Sequence, residues 1–150
     1  MVIDFYVPLS SRIINQIVSG KPNKILILDF IHFEFYNHYV LSSIQEGVSF
    51  GIAELEQVQE VFRLHYPTTP FISIAKRQHD YTISPTCFMR SGEIENMIAL
   101  GTICYTESTY QTVQFEKKFY DGIYESFLTE KEGLDWADEF MENYKKNAGL

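Results

Sequence analysis

The stretch Phe71-Ile72-Ser73-Ile74-Ala75-Lys76-Arg77-Gln78-His79-Asp80-Tyr81-Thr82-Ile83-Ser84-Pro85 carries the strongest structural signal in this chain. Pro70 introduces a short apolar run, Phe71 to Ala75, suited to a central strand. A cluster of polar and charged residues follows, and a helix restarts with Ser84 as cap and Pro85 at its first position, where the missing N–H costs nothing. A buried strand running into ionisable side chains and then into a capped helix is a step of an α/β domain. The carboxyl ends of such strands are where ligands and partners are met.

Upstream, residues 24–36 read as one long strand. From Phe30 onward Ile31, Phe33 and Phe35 alternate with His32, Glu34 and Tyr36, the period of a half-buried strand. Asn37-His38 makes a tight turn into a second arm, Tyr39 to Glu46, and Gly47 and Gly51 break the pattern. Ala53 to Tyr66 is a helix: Leu55, Val58, Val61, Phe62 and His65 share a face, and Pro67 stops it.

Downstream of Pro85 a short helix leads to the apolar strand Asn96 to Tyr105. Ser108 and Gln111 form a capping box for a helix reaching Tyr120. Asp121-Gly122 turns into the strand Ile123 to Phe127. Thr129 and Glu132 form a second box, opening a last helix with Leu134, Ala137, Phe140, Met141 and Tyr144 inward. This alternation predicts an α/β fold with a mostly parallel sheet and an antiparallel hairpin at one side. Residues 1–23 stand apart from the domain at 24–150. Ser10 or Ser11 caps a short helix through Val18, which serves as an arm, a dimer contact or an extension.

The chain has 150 residues, 45% of them hydrophobic, with 12 Phe, 10 Tyr and 1 Trp, enough for one domain with a real core. Its net charge of −8 argues against nucleic acid and anionic membrane surfaces, both of which call for Lys and Arg. Cys87 and Cys104 are far apart, with no C-x-x-C, and read as buried reduced thiols in a reducing compartment. There is no secretory h-region and no apolar run of membrane-spanning length, so the expected location is cytoplasmic.

Several of these segments resemble small bacterial proteins of the STAS-like superfamily (sulfate transporter and anti-sigma-factor antagonist). They are the hairpin ending in Glu46-Gly47, the Pro70-Phe71 strand, the Ser84-Pro85 helix start, and the tail Phe127-Leu128-Thr129-Glu130-Lys131-Glu132-Gly133-Leu134-Asp135-Trp136-Ala137. The resemblance covers roughly residues 24–142 in element order. It implies a β/α fold shared with anti-sigma-factor antagonists and, more distantly, with CRAL-TRIO lipid-binding domains. Regulatory members carry a phosphorylatable Ser in an Asp-aromatic-Ser motif at a helix start. Here Tyr81-Thr82-Ile83-Ser84-Pro85-Thr86 lacks that motif, although Ser84 and Thr86 lie near its place.

Within residues 64–92, Lys76, Arg77 and Arg90 face only Asp80, a locally positive stretch in an acidic protein. Beside a helix N-terminus this has the ingredients of an anion site, set against the plainer reading of solvated charges on a loop. The candidate ligand- or partner-binding residues are Lys76, Arg77, His79, Asp80, Tyr81, Ser84 and Thr86. His79-Asp80 invites a general-base reading, but adjacent residues rarely face each other and no nucleophile motif accompanies them. His32, Glu34 and His38 share a hairpin and are set down as its exposed side rather than a metal site. Gly101 marks a close backbone approach, and Trp136 a packing anchor.

The leading expectation is a non-enzymatic regulatory or protein-interaction module, homodimeric, that docks a partner around residues 76–86 without catalytic residues, metal or cofactor. The alternative is a carrier for a small anionic or lipid-like, amphipathic ligand in a pocket of roughly 300 Å³ or more. A hydrolase using His79 and Asp80 comes third.

Overall fold

A computed structural model describes residues 22–150; the helix expected from Ser10 or Ser11 through Val18 lies outside them. Strands β1 (Lys24–Ile27), β2 (Ile31–Phe35) and β3 (Tyr39–Ile44) form an antiparallel meander. Beyond it lie β5 (Phe71–Arg77), β7 (Met97–Cys104) and β8 (Tyr124–Phe127), all parallel to β3, in the order β1-β2-β3-β5-β7-β8. Two short strands, β4 (Ser49–Phe50) and β6 (Thr82–Ile83), pair in parallel apart from the main sheet. The helices are α1 (Ile52–His65), α2 (Pro85–Ser91), α3 (Glu107–Glu116), which runs into a 3₁₀ turn at Lys117–Phe119, and α4 (Glu130–Asn147). The mostly parallel sheet with a hairpin at one side is as the alternation of elements predicts.

Two of the boundaries that differ from expectation are instructive. Residues 24–36 are two strands: Leu28 N–H donates to the Ile31 carbonyl at 2.8 Å and closes a turn on Asp29-Phe30. Neither residue is a turn former of the Gly or Pro kind, and apolar residues flank the break on both sides, so the period hides it. Helix α3 begins earlier than the Ser108–Gln111 box predicts. Thr106 is its cap, accepting from the Thr109 N–H at 3.1 Å. At α4 the expected cap is present, Thr129 accepting from the Glu132 N–H at 3.2 Å.

Period-2 alternation gives the sheet two distinct faces. One carries Phe33, Phe35, Val40 and Phe71, on which α1 lays Leu55, Val58 and Phe62. The phenylalanines meet edge to face, Phe33–Phe62 at 5.6 Å and Phe62–Phe71 at 5.1 Å, and each contributes about 1.5–3 kcal/mol through burial. The other face carries Leu41, Ile72, Ile74, Ala99 and Ile103, covered by Ala137 and Met141 of α4. Gly101 belongs to this second face, where Trp136 lies against it. Both cysteines are buried and free.

Candidate functional site

Residues 76–86 begin with the last two residues of β5, Lys76 and Arg77, still paired with Ile103 and Cys104 of β7, and alternation sends their side chains to different sides. Lys76 lies on the α4 face, where its ammonium is 3.6 Å from Glu130, a carboxylate that also accepts from the Tyr105 hydroxyl at 3.0 Å. Arg77 points the other way, into the space beneath α2. Its guanidinium donates to Glu116 of α3 at 2.5 Å, with the two side chains only 7% and 10% exposed. The Tyr81 ring lies 4.6 Å from the guanidinium carbon, a cation–π contact. Arg77 is thus an internal ion-paired group rather than a solvated loop charge.

The electrostatics follow from burial. Desolvation works to lower the Arg77 pKa, but the hydrogen bond it donates to Glu116 helps override it, and the guanidinium pKa is raised. Desolvation also pushes the Glu116 carboxyl above its usual range, against the pull of Arg77. The carboxyl is the softer partner, the one that a fall in pH neutralises. Burial likewise raises the Tyr81 and Tyr124 phenols and the Cys87 thiol.

The rest of the segment is tied from below and open above. Gly47, at φ +78°, donates its N–H to the Asp80 carbonyl at 2.7 Å. Glu46 accepts from the Asp80 N–H at 3.2 Å, and His79 Nδ1 lies 3.9 Å from the same carboxylate. The backbone N–H groups of Thr82 and Ser84 donate to Val48 and Phe50. Gln78, His79, Asp80 and Thr86 remain exposed, while Tyr81 is buried and Ser84 half-buried. The Ser84 hydroxyl makes no capping hydrogen bond, although Pro85 holds the expected first-turn position.

The locally positive stretch is therefore matched by acids from elsewhere. Glu116 meets Arg77, Glu130 meets Lys76, and Glu93 lies 3.9 Å from Arg90. His32, Glu34 and His38, expected as the exposed side of the hairpin, are half-buried. Glu34 accepts from the Tyr36 hydroxyl at 3.3 Å, His38 bonds Asp138 at 3.1 Å, and burial lowers the pKa of His32. Among the described residues no three potential ligand side chains of His, Cys, Asp or Glu gather into a metal cage. His65 stacks on Phe35 at 3.8 Å.

Below the segment, between the sheet and helices α1 and α2, lies a cavity of about 100 Å³. Its origin is a row of small residues. Register places Ser42 of β3 beside Ala75 of β5, and Ala75 beside Thr102 of β7, all on this face. Large side chains, Phe33 on one flank and Tyr124 on the other, stand around a floor too low to fill the space. The sequence reading missed Ser42, Ser73, Thr102 and Glu116, which come together only through strand order and register.

No family model and no curated protein matches the sequence. The fold is similar to that of an uncharacterized protein of the DUF3478 family with a SpoIIAA-like fold from Shewanella loihica, at a TM-score of 0.53 and 14% identity. The match covers 74% of this chain and 96% of that one. Together with the observed sheet order, the match shows that the chain shares a SpoIIAA-like α/β fold.

Proposed function

We propose that the chain is a non-enzymatic binding module that docks a protein partner on the outer rim of residues 76–86. The observation that supports this is the two-sidedness of the segment. Arg77 and Tyr81 fasten it from within, and Gln78, His79, Asp80 and Thr86 present polar side chains outward on a fixed backbone. A rim fixed in advance loses little conformational entropy on binding. His79 Nδ1 lies 3.9 Å from Glu46, and no nucleophile motif accompanies it, which disfavours the hydrolase reading. Among the described residues no helix is long and apolar enough to cross a membrane.

The test is capture by photo-crosslinking in extract of the source organism, comparing the wild type with His79→Ala/Asp80→Ala/Thr86→Ala. The reading predicts a specific protein bound by the wild type and lost by the variant, with the melting temperature unchanged. Equal capture by both would contradict it.

The carrier reading fares less well. The cavity of about 100 Å³ is too small for a lipid tail. A depression of 530 Å³ beside Ile123, Phe140 and Tyr144 has no cation in its lining. Another, of 390 Å³, sets Glu56, Glu60, Glu93 and Glu95 around Arg63, which disfavours an anion.

A further inference from the structure

We infer that the cavity beneath residues 76–86 is a binding site for a small uncharged molecule, one ring or less in size, bearing one hydrogen-bonding group. Size sets the first limit. An engineered apolar cavity of about 150 Å³ in another protein takes up benzene, and this one is about 100 Å³.

Polarity sets the second. Ser42 and Ser73 are 8% and 6% exposed, and both line the cavity. Among the described residues neither hydroxyl has a hydrogen-bond partner, whereas Thr102 is satisfied by the Tyr124 hydroxyl at 2.9 Å and Ser91 by the Cys87 carbonyl at 2.6 Å. Register puts Val40 beside Ser73 and Ser42 beside Ala75, so the two serines are diagonal neighbours on one face. Both hydroxyls open onto the cavity with no protein acceptor, and one ligand hydroxyl or amide can reach either.

Charge sets the third. Arg77 would welcome an anion on its own, but Glu116 neutralises it and Tyr81 covers a face of its guanidinium. A carboxylate entering this space would add an unpaired negative charge beside Glu116. The inference does not depend on the outer rim docking a partner, because the rim residues and the cavity floor are different side chains.

The experiment is a ¹⁵N-resolved NMR titration of the whole chain with phenol and, separately, with benzoate at neutral pH. Phenol is expected to shift the amides of Ser42, Ser73, Ala75 and Thr102 saturably, and benzoate to bind roughly tenfold more weakly or less. Ala75→Leu, which raises the floor, should abolish the phenol response. Should that variant fail to fold, Ser42→Ala/Ser73→Ala decides: it removes both hydroxyls without filling the cavity, and should weaken phenol by roughly three- to tenfold. Benzoate binding as tightly as phenol would overturn the inference. So would phenol shifts confined to surface amides, an absent response in the wild type, or an unchanged affinity in Ser42→Ala/Ser73→Ala.

Discussion

A methyl group built on Gly101 would lie 3.0 Å from Cζ3 of Trp136, closer than nearly all real contacts of that kind. The indole itself is wedged between Phe127 at 5.2 Å and Phe140 at 5.5 Å. The absent side chain of Gly101 is therefore what lets α4 seat its tryptophan on the sheet. Gly101→Ala should cost about 1–3 kcal/mol through overpacking, read as a lower urea midpoint with an unchanged m-value. A neutral result would mean that the helix shifts freely on the sheet.

The Arg77–Glu116 pair predicts a non-additive pattern. Arg77→Met alone, or Glu116→Leu alone, leaves the opposite charge buried without its partner and should cost about 3–5 kcal/mol. The double variant removes both charges and should recover much of that loss. Additive losses in a double-mutant cycle of urea midpoints would show that the two residues are not coupled.

Helix starts give a sharper comparison. Thr106→Ala and Thr129→Ala each remove a side-chain cap and should cost about 1 kcal/mol, while Ser108→Ala should cost close to nothing. A loss at Ser108 equal to that at Thr106 would restore the later helix start. The signal was present in the sequence: Tyr105-Thr106-Glu107 repeats the pattern of Leu128-Thr129-Glu130.

The thiols carry a pH prediction. Burial raises the pKa of both Cys87 and Cys104 above the ordinary thiol value. Below that raised value the folded protein holds fewer thiolates than the unfolded chain, and both sulfurs are sheltered. A disulfide-exchange reagent at pH 8 should react slowly with native protein and quickly, at both cysteines, in denaturant. Fast native reaction at either site would place that cysteine nearer the surface.

Local signals made most of the fold legible. The alternation of Ile31, Phe33 and Phe35, the Asn37-His38 turn, the Ser84-Pro85 helix start and the Thr129 cap are each set by neighbours in sequence, and each stands in the structure. The character of the site lay beyond such signals. Arg77 reads as a loop charge until α3 brings Glu116 to it from 39 residues away. Ser42, Ala75 and Thr102 are unremarkable residues on three separate strands, and only sheet order makes them one floor. Propensity reports on neighbours along the chain, whereas cavities and buried ion pairs are made by neighbours across it.

The two-sided segment is most directly tested by hydroxyl-radical footprinting of the free protein and of its crosslink-captured complex. In the free protein, exposed His79 and Tyr105 should label readily and buried Tyr81 should be protected. In the complex, His79 should become protected and Tyr81 should stay so. Tyr81 labelling as fast as Tyr105 in the free protein, or His79 equally reactive in both states, would contradict the account.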